Sequence, residues 1–364
     1  MDKATNTGVV YLKFAMVTDL HFGARSDSLA FDNHFRKFYE EVFFPELDRQ
    51  GIKTVFDLGD TFDRRKYINF NTLKSCKEYF FDELERRGID LHMIPGNHDT
   101  YFKNTNDVNS PDLLLRDYNN IALYQKVTEI KMGDSTVLFV PWICNENYEE
   151  SFEIISKSKA DICLGHFEFS GYDMYRGSPN PHGMDPGMFK HLPMVVSGHF
   201  HHRHTKGNIT YMGNPYEITW SDYDDPRGFA IYDTTEKKLD YVNNPNKLFH
   251  KIYYDDTDTG LFTGDFVYDF DAVRGCCVKV IVVKKTDFAK FDALIDNLYQ
   301  CDLIELKIIE DLSEFEDEAI GEDVDLEDTM SLLKDYVDGI EVNVDKERLK
   351  SLLQSLYVEA QDAA

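Results

Sequence analysis

The first 245 residues alternate between apolar runs and amphipathic segments. Residues 9–18 (VVYLKFAMVT) are apolar and rich in β-branched side chains, which predicts a buried strand. Residues 29–47 place large apolar side chains at helical spacing, so a helix should follow. The same order recurs in a strand at 54–58, a helix at 71–87 and a strand at 90–94. This alternation is typical of an α/β fold.

The rest of this region is richer in strands. A helix is predicted at 148–158, and further strands at 121–130, 136–140, 161–164, 194–197, 209–212 and 228–232. Parallel strands joined by helices and followed by a strand-rich half favour two sheets packed face to face, with helices outside. We therefore predict one domain over residues 1–245. Ligands in such folds bind at the carboxyl ends of strands.

The pattern changes after residue 245. Residues 276–283, 286–299 and 303–309 predict a β-α-β unit, which we assign to a small domain over 246–309. Residues 310–328 hold 11 acidic residues and no Lys or Arg, so a flexible linker is expected. Two short amphipathic helices are predicted over 329–360. The second one aligns the apolar side chains Leu349, Leu352, Leu353 and Leu356.

Composition and charge argue against three classes of protein: strongly basic nucleic-acid binders, membrane-spanning proteins and secreted proteins. The 364 residues include 39 Lys and Arg against 66 Asp and Glu, a net charge of -27. This excess of acidic residues argues against a protein that binds nucleic acid through an overall positive surface charge. No apolar run approaches the roughly 18 residues of a membrane span, and the N-terminus lacks signal-peptide features. The six cysteines include no CxxC pair, so we expect a soluble cytoplasmic protein in a reducing compartment.

Five polar segments follow strand-like or apolar stretches. They are Asp19-Leu20-His21, Gly59-Asp60, Gly96-Asn97-His98-Asp99, Gly165-His166 and Gly198-His199-Phe200-His201. Each segment alone is compatible with an ordinary turn or a helix cap. Five of them in succession indicate one shared site instead. Glycine before the key residue allows a tight turn or a close backbone approach.

The residue types in these segments suit metal binding. Carboxylate and amide oxygens mixed with imidazoles, without thiolates, fit Mn, Fe, Mg or catalytic Zn. Seven such side chains suffice for two ions when one carboxylate bridges them. Residues i and i+2 of extended backbone point the same way. On that basis we expect Asp19 with His21, and His199 with His201, to be presented in pairs by extended strand ends.

In this order the segments resemble the pattern of the calcineurin-like metallophosphoesterases: D-x-H, G-D, G-N-H-D or G-N-H-E, G-H, and G-H-x-H. The chain is more specifically similar to nucleases of the SbcD type, the bacterial counterparts of the eukaryotic meiotic recombination nuclease. That similarity lies in TDLHFG at 18–23, GDTFD at 59–63 and the block at 213–233, and covers roughly residues 13–243. The length and acidity look most like the version encoded by large tailed phages.

The resemblance implies a two-sheet metallophosphoesterase sandwich flanked by helices, with a small α+β capping domain and C-terminal helices. It also implies two divalent ions, Mn or alternatively Mg. Asp19, His21 and His201 would hold the first ion, Asn97, His166 and His199 the second, and Asp60 would bridge them. His98 would protonate the leaving sugar oxygen, and Asp99 would orient His98.

The implied activity is that of a nuclease in DNA recombination and repair. It would be a 3′ to 5′ exonuclease on duplex DNA and an endonuclease on single strands or hairpins. Many relatives carry His three residues after the bridging Asp, where this chain has Asp63, so the balance of these activities stays open. We expect Arg64, Arg65, Lys66 and Arg203 to contact DNA, with a solvated charge run as the alternative.

The resemblance further implies a partner, because the C-terminal helices of such nucleases clamp the coiled coil of an ABC-type ATPase. Leu349, Leu352, Leu353 and Leu356 would form this contact, unless the helices fold back on the catalytic domain or on each other. A homodimer through the helices near 29–47 and 71–87 is also expected. Two rival functions are a phosphomonoesterase or small-molecule phosphodiesterase, and a non-catalytic scaffold, which the seven intact ligand positions disfavour.

Overall fold

The computed structural model describes residues 12–257 and 270–310. Its strands, in chain order, are β1 (Lys13–Val17), β2 (Thr54–Asp57), β3 (Asp90–Met93), β4 (Ile121–Leu123), β5 (Thr128–Met132), β6 (Ser135–Val140), β7 (Ile162–His166), β8 (Asp173–Tyr175), β9 (Ser178–Pro179), β10 (Val195–Gly198), β11 (His204–Lys206), β12 (Ile209–Tyr211), β13 (Gly228–Asp233), β14 (Lys238–Asn243), β15 (Phe249–Asp255), β16 (Cys277–Lys284) and β17 (Glu305–Ile309).

The helices are α1 (Leu29–Phe38), α2 (Phe44–Gln50), α3 (Phe70–Cys76), α4 (Asp82–Arg86), α5 (Ser110–Leu115), α6 (Tyr148–Lys157) and α7 (Phe288–Tyr299). A π-helical turn at Tyr39–Phe43 joins α1 to α2, and another at Lys77–Phe81 joins α3 to α4. The two long helices predicted near 29–47 and 71–87 are therefore confirmed, each with one wider turn inside it. Short 3-10 turns lie at Pro186–Phe189, Trp220–Asp222 and Phe270–Val273.

Most strands form two six-stranded sheets. The first has the order β14-β13-β1-β2-β3-β4, and the second has the order β11-β12-β10-β7-β6-β5. Strands β1 to β4 run parallel to one another, as do β6, β7, β10 and β12. The carboxyl ends of each parallel set therefore open at one edge of its sheet, which is where such folds bind ligands.

An apolar layer lies between the two sheets. Phe14 and Phe56 of the first sheet share a buried cluster with Phe139, Leu164 and Val196 of the second. On the other face of the first sheet, rings of the paired helices cover the strands; Phe43, for example, lies 4.9 Å from Phe229 of β13 between ring centroids. The predicted sandwich with helices outside is confirmed.

One predicted strand is in fact two. Residues 121–130 were expected to be a single strand, but Ile121–Leu123 pairs with β3 in the first sheet, whereas Thr128–Met132 pairs with β6 in the second. The apolar pattern continues across the break because apolar residues such as Tyr124 and Ile130 are partly buried against the core between the sheets. The chain at 124–127 therefore passes from one sheet to the other.

A third, parallel sheet has the order β15-β16-β17 and carries α7 on one face. It contains the predicted β-α-β unit and adds β15. Buried Glu217 anchors its first strand by accepting backbone N–H bonds from Leu248 and Phe249, at 2.6 and 2.9 Å. The boundaries at 246 and 309 stay predictions. The predicted linker beyond residue 310 and the helices over 329–360 lie outside the described residues.

All six cysteines are buried free thiols. In the described ranges, no helix combines the length and apolarity that a membrane crossing requires.

Candidate metal centre

The seven side chains predicted as ligands converge at the carboxyl ends of β1, β2, β3, β7 and β10. Asp19, His21 and His201 form one group, and Asp60, His166 and His199 form a second. Within each group the candidate ligand atoms lie within 4.8 Å of one another. Asn97 joins the second group through its side-chain oxygen. The structure therefore brings together residues that are far apart in the chain, such as His21 and His201, which are 180 positions apart.

In the first group, two imidazole nitrogens face each other. His21 Nε2 lies 3.1 Å from His201 Nε2, and Asp19 Oδ1 lies 3.9 Å from the same His201 atom. Two ligand nitrogens about 2.1 Å from one ion are separated by about 3 Å when they bind at right angles. The spacing of His21 and His201 thus fits one shared cation.

In the second group, Asn97 Oδ1 lies 3.1 Å from His166 Nε2 and 3.0 Å from His199 Nδ1. His166 Nδ1 donates to the carbonyl oxygen of Leu58 at 2.8 Å, so its Nε2 atom points into the centre. Because this hydrogen bond fixes the tautomer, His166 is arranged in the way that proteins arrange a metal-binding imidazole.

Asp60 stands between the two groups. Its Oδ2 atom lies 3.2 Å from His166 Nε2 and 4.0 Å from His21 Nε2. Its Oδ1 atom accepts the backbone N–H of His98 at 2.8 Å. This is the position that a bridging carboxylate would require.

The ligand loops are strained, and the predicted extended presentation is wrong. Asp19, His21, Asp60 and His199 have φ angles of 54°, 45°, 55° and 88°, in the left-handed region. β1 has already ended at Val17 and β10 at Gly198. Left-handed turns, not extended strand ends, therefore aim these side chains, and His199 and His201 join different groups. Such conformations cost about 1–3 kcal/mol each and cluster at functional sites.

Two of the glycines allow the ligand loops to approach each other closely. A Cβ atom on Gly96 would lie 2.2 Å from Asp60 Oδ1, and one on Gly198 would lie 2.0 Å from Thr18 Oγ1. No side chain fits in either place. This is the physical reason for the glycine that precedes the ligand at these positions.

The electrostatics of the centre favour bound positive charge. Burial opposes ionisation of Asp60, but the imidazoles of His166, His98 and His21 outweigh it and hold the Asp60 pKa well below its usual range. Burial likewise opposes protonation of His166, but Asp60 outweighs it and raises the His166 pKa to about 9. Burial, reinforced by His166, lowers the pKa of His199 to about 3. The donor set and its buried carboxylates fit divalent cations.

His98 and Asp99 make different contacts from those expected. His98 Nδ1 donates to the backbone carbonyl of Asp63 at 2.7 Å, and its ring lies 5.0 Å from that of His21 between centroids. The Asp99 carboxylate instead accepts backbone N–H bonds from Thr61, Phe62 and Gly96 at 2.9–3.3 Å. The Asp63 carbonyl therefore orients His98 at Nδ1, in place of Asp99, and Asp99 holds the Asp60 loop in position.

The side chain of Asp63 also faces the centre. Its Oδ1 atom lies 3.5 Å from His21 Nδ1. Burial opposes ionisation of Asp63, but His21 outweighs it and lowers the Asp63 pKa. The residue that replaces the His of many relatives thus supports a candidate ligand on one side and His98 on the other.

Of the basic residues predicted to contact DNA, two form contacts with other side chains of the protein, and the other two are described by their exposure. Arg64 pairs with Asp27 at 2.7 Å and lies over the Tyr67 ring. Arg203 donates to the Met212 carbonyl and to Asn243, and lies 4.2 Å over the Tyr241 ring. Lys66 is exposed and Arg65 is partly exposed.

Sequence reasoning missed a buried arginine behind the first group. Arg227 is 3% exposed, and its guanidinium donates to the His201 carbonyl and to Asn214. It also pairs with Asp222 at 3.0 Å and Asp225 at 2.9 Å. The block at 213–233 was noticed only as a family feature. An arginine flanked by several acidic residues just before a strand was the available signal.

Comparison with known proteins agrees with this geometry. The family model for calcineurin-like phosphoesterases matches residues 12–203, more than half of the chain. The chain belongs to the calcineurin-like phosphoesterase family. The fold and the seven converging side chains fit this membership, and the protein is a metal-dependent phosphoesterase.

One relative of this phosphoesterase is "Exonuclease subunit 1" of Enterobacteria phage T4. It is 30% identical over 355 residues, which cover 96% of this chain and 99% of that protein. Among solved structures, an archaeal phosphodiesterase is 11% identical, with coverage of 64% and 100% and a TM-score of 0.33. A dimetal phosphatase from Danio rerio is 12% identical, with coverage of 64% and 96% and a TM-score of 0.40.

Proposed function

We propose that this phosphoesterase is a Mn-dependent DNA nuclease that acts in recombination and end processing. The observation that carries the proposal is the convergence of two ligand groups around Asp60, with His98 beside them. The T4 exonuclease subunit, which aligns with nearly the whole chain, supports a nucleic acid as the substrate. The activities that we assign are 3′ to 5′ exonuclease on duplex DNA and endonuclease on single strands or hairpins.

We assign each candidate ligand a place. Asp19, His21 and His201 would hold the first ion, Asn97, His166 and His199 would hold the second, and Asp60 would be shared. When bound, the ions supply the Lewis acidity that lowers the pKa of water and polarises a phosphoryl oxygen. The protein fixes the ligands beforehand through Leu58, which orients His166, and through Arg227, which holds the His201 loop.

His98 is assigned as the proton donor to the departing sugar oxygen. Its Nδ1–H is committed to the Asp63 carbonyl, so Nε2 is the nitrogen at which a proton can be transferred. The ring stands beside His21, next to the first group. A substrate phosphate bound at the centre would therefore lie near this ring, and general-acid transfer of this kind contributes about 10²- to 10⁴-fold in rate.

Cleavage assays test the activity and separate it from its rival. Labelled duplex, single-stranded and hairpin DNA are incubated with the enzyme, with Mn, Mg or chelator, beside a nitrophenyl phosphate monoester. Cleavage of DNA that requires Mn, with 3′-end shortening on duplex ends, supports the proposal. Hydrolysis of the monoester without DNA cleavage would instead favour a phosphomonoesterase, which can use the same ligands.

We also propose that an ABC-type coiled-coil ATPase subunit provides most of the DNA-binding affinity of the complex. The net charge of -27 opposes nonspecific DNA binding. The isolated chain should therefore bind DNA weakly at physiological salt, with Arg64, Arg65, Lys66 and Arg203 as candidate local contacts. Nanomolar affinity of the chain alone in a filter-binding assay would contradict this proposal.

The predicted C-terminal helices, with Leu349, Leu352, Leu353 and Leu356, are the candidate docking segment for the ATPase. Truncation after residue 310 should abolish ATPase binding and leave Mn-dependent cleavage intact. Sedimentation of the full chain tests the expected homodimer. If the truncated enzyme still bound the ATPase, docking through these helices would be excluded.

A further inference from the structure

A tryptophan borders the second ligand group without being a ligand. Trp142 follows the end of β6 and is partly exposed. Its ring centroid lies 5.4 Å from that of His199 and 6.0 Å from that of His166. An aromatic face is therefore built into the wall of the centre, where a bound phosphate would bring its attached nucleoside close.

The main chain of Trp142 is held on both sides. Its N–H donates to the Pro95 carbonyl at 2.9 Å, just before the loop that carries Asn97 and His98. Its carbonyl accepts from Asn106 Nδ2 at 2.7 Å and Asn147 Nδ2 at 3.0 Å. A tryptophan on a backbone held in this way loses little conformational entropy when a flat ligand packs on its ring.

The surroundings of Trp142 combine exposed aromatic rings with exposed carboxylates. Tyr101 and Phe102, 41% and 47% exposed, follow the His98 loop, and their ring centroids lie 4.7 Å apart. The same segment contacts the Trp142 loop, because the Glu146 N–H donates to the Asn104 carbonyl at 3.3 Å. The exposed charged residues of these two segments are four acids and one base, namely Asp107, Glu146, Glu149, Glu150 and Lys103.

Exposed aromatic rings beside exposed carboxylates favour contact with the bases of a nucleic acid over contact with its phosphates. Carboxylates repel the phosphates of a second strand, whereas aromatic faces accept an uncharged base whose own face is open. A base within a duplex has both faces covered by its neighbours. An unpaired base, at a frayed end or in a single strand, can stack on the indole.

We propose that Trp142 is a stacking platform for an unpaired nucleobase of the DNA strand bound at the metal centre. The inference rests on the proposed nuclease function and specifies the form of its substrate: a strand whose base next to the cut phosphate is unpaired. Trp142 is thereby a specificity-determining residue, which contacts substrate but takes no part in proton transfer or metal binding.

The test removes either the Trp142 side chain from the protein or a single base from the DNA, and compares the effects on cleavage. Single-stranded oligonucleotides carry either a normal base or a tetrahydrofuran abasic analogue at the nucleotide on the 5′ or the 3′ side of the cut. Trp142→Ala should slow cleavage of the normal strand by about 10- to 100-fold. It should change cleavage of the correctly placed abasic strand less than about 3-fold, since the base is already missing. Trp142→Phe should retain most activity.

Two further measurements distinguish stacking from structural support. Calorimetric Mn titration should give the same stoichiometry for Trp142→Ala and wild type, and a noncleavable single strand should quench Trp fluorescence in wild type more than in Trp142→Phe. Tyr148→Ala is the matched control, because Tyr148 is also exposed but packs on Phe152, with ring centroids 4.4 Å apart. It should leave cleavage of every strand unchanged.

Equal losses on normal and abasic strands, or loss of a bound Mn in Trp142→Ala, would overturn the stacking proposal and reduce Trp142 to a packing residue of His199. A wild-type enzyme that cuts duplex DNA but none of these oligonucleotides would likewise overturn the stacking proposal, whereas one that cuts neither would overturn the nuclease assignment itself. The two failures are distinguishable because the first requires an active wild-type enzyme.

Discussion

At the scale of single residues, His98 is held by its backbone and its side chain at once. Its N–H binds Asp60 Oδ1, and its Nδ1–H binds the Asp63 carbonyl. Only the second contact depends on the imidazole. The first one persists in any variant that keeps the loop, so the shared carboxylate stays in place when the ring is removed.

We therefore predict that His98→Ala lowers the cleavage rate by about 10²- to 10⁴-fold while two Mn ions still bind. Rate assays on labelled DNA and calorimetric Mn titration measure the two effects separately. The control is His182→Ala, since His182 is exposed in a segment that holds no candidate ligand and should change neither quantity. Metal loss in His98→Ala would assign His98 to the ligand shell instead.

Two arginines that share Asp225 allow a matched comparison of buried and exposed charge. Arg227 is buried beneath the His201 loop, whereas the Arg176 side chain is 60% exposed and lies 3.5 Å from Asp225. Arg227→Ala leaves Asp222 and Asp225 buried without this partner, so it should lower the free energy of unfolding by about 3–5 kcal/mol. Arg176→Ala should lower it by less than about 1 kcal/mol. Urea denaturation measures both.

The milder Arg227→Lys retains the charge but not the planar fork that reaches His201, Asn214 and the two acids together. We expect it to fold and to bind the first Mn more weakly. Similar unfolding free energies for the Arg176 and Arg227 alanine variants would show that the buried network contributes little.

At the scale of elements, Glu217 fixes the start of β15 against the rest of the fold. Burial raises the pKa of Glu217, although backbone N–H groups and Lys247 favour its charged form. Because the folded pKa lies above the unfolded value of 4.5, folding favours the protonated form. The stability associated with Glu217 is thus lost as pH rises from 4.5 through the folded pKa.

Glu217→Gln keeps an acceptor oxygen for Leu248 and Phe249 but cannot ionise. Its free energy of unfolding should therefore rise relative to wild type as pH increases from about 4 to about 8. Relative to Glu217→Gln, Glu217→Ala should cost about 1–3 kcal/mol for each N–H left unpaired, at every pH. Urea denaturation at several pH values across this range measures these free energies. A difference in the free energy of unfolding between Glu217→Gln and wild type that stays constant with pH would contradict the prediction.

At the scale of the whole molecule, metal binding should stabilise the fold. The seven ligand positions come from both sheets, so bound ions link segments that unfolding separates. At an Mn concentration about 100-fold above the dissociation constant, one site adds about 2.7 kcal/mol to the free energy of unfolding.

Thermal unfolding with Mn should accordingly show a midpoint several degrees higher than with chelator. Asp60→Asn, which weakens the shared ligand, should show a smaller shift. An identical midpoint with Mn and with chelator in the wild-type protein would mean that the centre does not bind these ions in the folded state.

The sequence by itself identified the candidate ligands and the places in the fold where they occur. Apolar runs marked β1, β2, β3, β7 and β10, and the polar residues after them had the donor types that suit Mn, Fe, Mg or catalytic Zn. These are local features, because strand periodicity, donor type and the glycine before a ligand are all visible within a few residues. The helices at 29–47 and 71–87 were predictable for the same reason.

The tertiary structure alone decided how those residues are arranged. It placed Asp60 between the groups and Arg227 behind His201. It also paired the His98 Nδ1–H with the Asp63 carbonyl rather than with the Asp99 carboxylate. Each of these contacts joins segments whose separation depends on sheet order and on left-handed turns, which local patterns do not specify. The choice between extended and left-handed backbone at Asp19 and His199 is likewise made by long-range contacts, since these stabilise conformations that the residues would rarely adopt alone.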